Sequence, residues 1–316
     1  MSTRVERPRR RKRSWSRYSD RMFYLFVSPW VLGFALLTAL PLGYAFLVSM
    51  TNFNGRNARW RWVGLRNYSE LVRDTDAIAA LVRTLAYTAI TVPLMVAGGL
   101  GLAVLLNRRL KAVGLFRTIF FLPSVVPVVA MAIMWKLIFN RDAGVLNRML
   151  EWLGASPIAW LVDPNAFYAL VILTLWGLGG GMVIMLAALQ GVPAELEEAA
   201  VVDGAGPWRV FRHVTVPMIS PVIFFLVVTG IITSFQVIIQ PLLLAETNQV
   251  GSVTQVPQST HLYMVQVYQE FFANNRYGYG SAMLWVFFLV ILVITVVVQR
   301  SSRLWVHYQV DSEAER

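Results

Sequence analysis

A chain of 316 residues with 57% hydrophobic and only 14% charged residues departs from soluble globular usage, where about a quarter of residues are charged, so the membrane is its natural solvent. The net charge of +11 would suit nucleic acid, but much of the excess sits in residues 1–21, where Arg4, Arg7, Arg9, Arg10, Arg11, Lys12, Arg13, Arg17 and Arg21 stand against only Glu6 and Asp20. Directly before an apolar stretch, such a tail reads as a cytoplasmic anchor in preference to a nucleic-acid arm, and the absence of cysteine excludes disulfides, thiolate metal sites and cysteine nucleophiles.

Roughly 20 apolar residues cross the hydrocarbon core, and on that criterion hydropathy predicts an all-α membrane protein with six transmembrane helices at 22–50, 84–107, 115–139, 166–191, 219–245 and 280–299. The first exceeds the roughly 7–15 residues of a secretory h-region, and although its PLGYA faintly resembles a cleavage site, it reads as an uncleaved span. The predicted organisation is a basic cytoplasmic tail (1–21), a membrane domain (22–299) and a cytoplasmic C-terminal tail (300–316). An even span count returns the C-terminus to the cytoplasm. Arg108, Arg109, Lys111, Arg209, Arg212, Arg300 and Arg303 then fall inside, as the positive-inside rule prefers. Arg56, Arg59, Arg61, Arg66 and Arg73 in the first outer loop run against the rule, but the inner tail outweighs them. The outer loops 51–83, 140–165 and 246–279 have room for short helices that meet something outside, whereas 108–114 only joins two spans.

The predicted spans contain no acid, and the base Lys136 lies near an outer end where it can snorkel. A proton-driven carrier needs an intramembrane carboxylate relay, so the chain does not harvest a proton gradient itself; a sodium carrier built on backbone carbonyls stays open. The three histidines, His213, His261 and His307, lack HExxH spacing, and no GxxxxGK[ST] loop is present, so neither a zinc protease nor a P-loop ATPase is encoded here. The glycine clusters VAGGLGLA (97–104) and WGLGGGMV (176–183) suit close helix packing, with a hinge at Gly179–Gly181 as the alternative.

One polar stretch interrupts the apolar pattern: AELEEAAVVDGAGPWRVFRHVTVP, residues 194–217. It predicts a helix, a turn and a second helix. Pro193 suits the first helical position, and Glu195, Glu197 and Glu198 favour the positive end of the helix dipole. Leu196, Ala199, Ala200 and Asp203 share a narrow face at i, i+3, i+4 and i+7. Gly204 supplies a left-handed C-cap, Pro207 opens the second helix, and Trp208 and Phe211 stand on one side of it while Arg209, Arg212 and His213 point elsewhere. Pro217 predicts a break before the fifth span. By periodicity alone the loop is equally an interfacial amphipathic hairpin with its arginines at lipid head groups.

Glu198-Ala199-Ala200, three residues, Gly204, nine residues, then Val214-Thr215-Val216-Pro217 resembles the EAA signature of ATP-binding-cassette importer permeases, with valines in place of the usual Ile and Leu. The segments 24–55, 62–74 (WVGLRNYSELVRD), 116–140 and 267–295 are similar to the sugar-permease group that includes a maltose-transporter permease and the glycerol-3-phosphate permease, and resemble the first permease of the pair. The chain departs from that group at ETNQVGSVTQVPQSTHLY, where a Gly-Gly-Pro element is common.

The resemblance implies a permease subunit in the bacterial cytoplasmic membrane, paired with a second homologous permease. It also implies two ATPase subunits that hold the ATP and magnesium, and an extracytoplasmic solute-binding protein that delivers a carbohydrate or related polyol derivative. Glu198, Ala199, Ala200, Asp203, Gly204, Trp208, Phe211 and Pro217 would couple to the ATPase. Sugars present hydroxyls and apolar faces, so Ser234, Gln236 and Gln240, with Gln236 and Gln240 one helical turn apart, and the rings of Trp176 and Trp285 are candidate solute contacts. Interhelical bonding and packing are the plainer roles for the same residues. A self-powered secondary transporter and a membrane-embedded enzyme, such as a lipid-linked sugar transferase, remain the rival readings.

Overall fold

The computed structural model describes residues 20–56, 60–108, 111–245 and 256–307. The tail before residue 20, Arg59, Arg109, residues 246–255 of the last outer loop and the residues after 307 lie outside them. Among the described residues the regular elements are helices, with one isolated antiparallel bridge, Thr51 to Trp62. The chain divides after Val48 into two compact units. The first carries α1 (Asp20–Phe34), a π turn (Ala35–Ala39) and nearly all of α2 (Leu40–Ser49), which together make one apolar helix, Arg21–Ser49.

The π turn has a local cause. Its last bond runs from the N–H of Leu40 to the carbonyl of Ala35, immediately before Pro41. A proline ring clashes with the carbonyl four residues back, and widening the helix by one residue moves that carbonyl aside.

The second unit begins with a loop pinned by its VGLRNY element. Gly64 takes the left-handed φ of +59°, the Asn67 amide donates to the carbonyls of Ser49 and Thr51 at 2.7 and 2.9 Å, and the Tyr68 hydroxyl meets that of Ser49 at 2.6 Å. After α3 (Arg66–Leu71), the 32-residue α4 (Thr75–Leu106) starts well before the expected residue 84. It does so because the Asp74 carboxylate caps the N–H groups of Asp76 and Ala77, both at 3.0 Å.

The third expected span, 115–139, is not one helix. α5 (Val113–Phe121), a 3-10 turn (Leu122–Val125) and α6 (Val128–Ile138) turn through 102°, because Pro123 and Pro127 each remove a donor and restrict the residue before them. α7 (Val145–Trp152) follows. The fourth expected span is likewise a pair, α8 (Asn165–Leu175) and α9 (Gly179–Gln190), bent by 43°.

That bend falls at Trp176–Leu178, and the glycines beyond it serve contact. A Cβ on Gly179 would stand 1.8 Å from the carbonyl oxygen of Phe120 on α5, and one on Gly99 would meet the α9 backbone at 3.4 Å. α9 thereby seats Met182, Met185 and Leu186 against Ala103 and Leu106 of α4 in one buried cluster.

The chain continues through α10 (Ala194–Val202), α11 (Pro207–Val210), a second π turn (Phe211–Thr215), α12 (Val216–Phe235), α13 (Ile239–Leu244), α14 (Tyr263–Tyr268), a third π turn (Gln269–Ala273) and α15 (Tyr277–Ser301). Among the described residues four helices are long and apolar enough to cross a membrane, and the count reaches six when each bent pair is one span. The long loops 51–83, 140–165 and 246–279 carry the short helices α3, α7 and α14 respectively.

Candidate functional site

The polar stretch at 193–217 folds into two helices around a sharp turn. Pro193 precedes the first helix, with ψ of 127°, so Ala194 and not Pro193 opens it. Its far end is a Schellman cap: Gly204 lies at φ +82°, its N–H bonds the Val201 carbonyl at 3.0 Å, and the Ala205 N–H bonds the Ala200 carbonyl at 2.9 Å. Pro207 is the first residue of α11. Asp203 is the C-cap residue and is exposed.

Pro217 makes no break, contrary to the sequence expectation. α11, the π turn and α12 form one helix, Pro207–Phe235, in which the Val216 N–H reaches back to the Phe211 carbonyl. As before Pro41, a π turn accommodates the ring without stopping the helix.

α10 has no buried residue although most of it is apolar. Leu196, Glu198, Ala199 and Val201 are exposed, and Val202 is 87% exposed. Trp208 is also exposed and its ring lies 5.7 Å from that of half-buried Phe211. A groove of about 1040 Å³ separates this surface from the end of α4, with Asn107 and Arg108 on one wall and Glu197, Glu198, Val201, Trp208 and Phe211 on the other. Sequence reasoning missed the tie that fixes α10: the buried Thr215 hydroxyl donates to Glu197 Oε1 at 2.8 Å. Spacing gave no signal for it, since the two residues meet only through the turn.

Within the membrane helices lies a cavity of about 360 Å³, lined by Tyr87 and Thr91 of α4, Met131, Thr174, Gly177, Gly181, Met185 and the α12 residues Thr229, Thr233 and Ser234, with Gln240 beyond. Thr174 donates to the Leu170 carbonyl, so in the 2.7 Å contact between Tyr87 and Thr174 the tyrosine hydroxyl is the donor. Ser234 bonds Thr88 Oγ1 at 2.9 Å.

Ser234 and Gln240 therefore line one space, but Gln236 does not. The expected helical turn between the two glutamines is absent: α12 ends at Phe235, Gln236 is its exposed C-cap, and Ile238 at φ −139° separates it from α13. Trp176 packs edge-on to Trp135, with centroids 6.0 Å apart, and Trp285 packs against Phe288 at 5.7 Å; neither lines the cavity. Lys136 does not snorkel freely either. Its Nζ donates to the carbonyl of Ala245, the C-cap of α13. The methionine lining was not singled out from the sequence, because methionine in a span carries no positional signal of its own.

The loops 51–83, 140–165 and 246–279 carry a polar network among their described residues. Arg276 pairs with Glu70 and, at 3.3 Å, with buried Glu270, while its guanidinium sits 4.2 Å over the Tyr279 ring. Burial pushes the Glu270 carboxyl above its ordinary range, against the Asn274 and Arg276 contacts. His261 bonds Gln266 at 2.8 Å, and burial holds its ring below the usual histidine value. Partial burial works to raise Asp163, but the hydrogen bonds from Ser259 and Gln258 and the Arg83 charge outweigh it and leave the carboxyl lowered.

Apolar helices in bent pairs around a cavity, with an unburied capped helix in a connecting loop, have the build of a membrane transport subunit. Residues 95–306, more than half of the chain, match the family described as binding-protein-dependent transport system inner membrane component, and the chain belongs to it. It is 35% identical over 92% of its length, and 93% of the relative's, to the probable ABC transporter permease protein YesP of Bacillus subtilis (strain 168). It is 32% identical over 86% of its length, and 85% of the relative's, to the arabinooligosaccharides transport system permease protein AraP of Halalkalibacterium halodurans. Its fold matches, at a TM-score of 0.78 and 22% identity over 90% of this chain and 94% of the other, a chain of a bacterial alginate ABC transporter solved in complex with an alginate pentasaccharide-bound periplasmic protein. The chain is thus a multi-pass ABC importer permease subunit and not an enzyme, which sets aside the secondary-transporter and transferase readings.

Proposed function

We propose that this permease moves a carbohydrate or related polyol derivative across the bacterial cytoplasmic membrane, with the 193–217 loop receiving an ATPase subunit on the cytoplasmic side. Unburied α10 supports the docking role: an apolar, alanine-rich helix, tied by the bond that Glu197 accepts from Thr215 and turned at Gly204, presents Leu196, Ala199 and Val202 outward. Small side chains permit close approach by a partner groove, and residues Glu198 and Asp203 rim the contact. Two ATPase subunits, each holding ATP and magnesium, would grip this loop and its counterpart on a second homologous permease, and an extracytoplasmic binding protein would deliver the solute. Both termini then lie in the cytoplasm, flanking the membrane domain 22–299.

Cargo class rests on what the relatives carry, arabinooligosaccharides by name in one and alginate in the solved complex, and on the lining of the cavity. Hydroxyls of Tyr87, Thr174 and Ser234 and the Gln240 amide suit sugar hydroxyls, while Met131 and Met185 suit the apolar faces of a ring. The chain purified from its native membrane in mild detergent is expected to carry a stoichiometric P-loop ATPase and a second permease. Vesicles of that complex are expected to accumulate a labelled neutral oligosaccharide only with ATP and binding protein. Recovery of the chain alone, under extraction that preserves a known importer, would overturn the docking role; uptake of amino acids but no saccharide would overturn the cargo.

A further inference from the structure

α7 is an amphipathic helix turned the wrong way for a soluble surface. Leu146 packs on a buried cluster that includes Phe139, Leu161 and Leu170, while Val145 (59% exposed), Met149 (59%), Trp152 (87%) and Leu153 (71%) stand on the other side. Their spacing of i, i+4, i+7 and i+8 makes one continuous stripe. The rotation is fixed: Asn147, 1% exposed, donates to the carbonyls of Arg141 and Ile158, both at 2.9 Å, and accepts from the Ile158 N–H at 3.1 Å and the Trp160 indole at 2.9 Å. An eight-residue helix is marginal alone, so four bonds to one buried side chain keep the stripe facing out.

We propose that α7 lies in the outer interface of the membrane with this stripe in the acyl boundary. The surroundings favour lipid over a protein partner. α7 is tethered between the bent pairs α5–α6 and α8–α9, so it cannot leave the level at which those segments emerge. α6, on which it packs, carries its own exposed apolar row, Val129, Ile133 and Leu137. Exposed Arg148 flanks the stripe and Arg141 precedes it, suiting lipid phosphates, and helical spacing places Glu151 away from the apolar side; tryptophan and arginine are the residues that settle at this depth. The choice of the outer side rests on the orientation proposed above, but the depth measurement does not depend on the cargo.

Because the chain has no cysteine, single labels are clean. Met149→Cys, Trp152→Cys and Arg148→Cys, each carrying a nitroxide, are placed in the assembled importer in phosphatidylethanolamine–phosphatidylglycerol vesicles. Collision with oxygen and with a water-soluble nickel chelate is then compared. The expected result is several-fold more oxygen than nickel relaxation at 149 and 152, reversed at 148, and unchanged by adding substrate-loaded binding protein. Nickel access at all three sites, shielding from both reagents, or a change on adding binding protein would overturn the proposal. Photoactivatable phospholipid on the unsubstituted importer gives a second readout: adducts within 145–153 are expected, and their absence alongside adducts on α15 would overturn it.

Discussion

Thr215, buried at the start of the long α12 helix, donates its hydroxyl to Glu197 on α10 at 2.8 Å. The bond closes a ring from the exposed helix through the Gly204 turn back to a membrane-crossing helix. A hydrogen bond to a charged group contributes about 1.5–3 kcal/mol, enough to decide whether α10 moves with α12 or separately. Thr215→Val is expected to leave insertion and complex assembly unchanged while uptake per ATP hydrolysed falls at least several-fold in proteoliposomes. An unaltered ratio of transport to hydrolysis would remove the bond from the coupling route.

Gly204 separates backbone need from space. Nothing lies within 4 Å of a Cβ added there, so substitution meets only the left-handed φ of +82°, which costs an L residue about 1–2 kcal/mol. Asparagine tolerates that region better than valine. Gly204→Asn is expected to retain more uptake than Gly204→Val, with insertion intact in both. Equal activity in the two would show that the turn does not matter to docking.

The two glutamines part company. Ser234 and Gln240 line the cavity, whereas Gln236 is the exposed cap of α12. Gln240→Leu is expected to raise the half-saturating solute concentration or reorder preference among oligosaccharides, with Gln236→Leu close to wild type. The opposite ranking in uptake assays would relocate the solute contact.

Gly179 and Gly181 test the packing role of the glycine run. A methyl on Gly179 would overlap the Phe120 carbonyl at 1.8 Å, while one on Gly181 meets nothing within 4 Å. Backbone cannot yield as a side-chain tip does, so Gly179→Ala is expected to cost 3 kcal/mol or more, about the upper end of overpacking. It should also fail to yield a monodisperse protein in detergent, whereas Gly181→Ala should purify normally.

His261 gives the loop that follows α13 a pH response. Burial lowers its folded-state value from the ordinary 6.5, so the unfolded chain binds more protons in the window below about 6.5. Stability therefore falls as pH drops from about 6.5 toward the depressed folded value and is fully present above that window. Thermal unfolding of the wild type followed from pH 8 to pH 5 is expected to show this loss, and His261→Gln to flatten it. Parallel curves for the two would assign the pH response to other groups.

Hydropathy located the apolar segments because burial in lipid demands long apolar runs, and the Gly204 turn was legible because glycine and Pro207 carry backbone information in their own chemistry. What failed was continuity. Pro123 and Pro127 break a segment that hydropathy treats as uniform, while Pro217 breaks nothing because a π turn precedes it. Hydropathy counts carbon, not hydrogen-bond register. The Gln236–Gln240 face failed for the same reason, since α12 unwinds within an apolar run. The Glu197–Thr215 bond and the Asn147 pin were invisible because each depends on how the chain returns on itself.

The unbroken helix from Pro207 to Phe235 has a mechanical consequence. Its 29 residues span about 44 Å at 1.5 Å per residue, with Trp208 and Phe211 near one end and Thr233 and Ser234 near the other. A tilt of about 5° about one end carries the other about 4 Å, comparable to the width of a sugar hydroxyl and its hydration. A hinge at Pro217 would have absorbed that displacement in the loop. With the rod whole, a push by the proposed ATPase on the 193–217 loop would be carried along the helix toward the cavity wall.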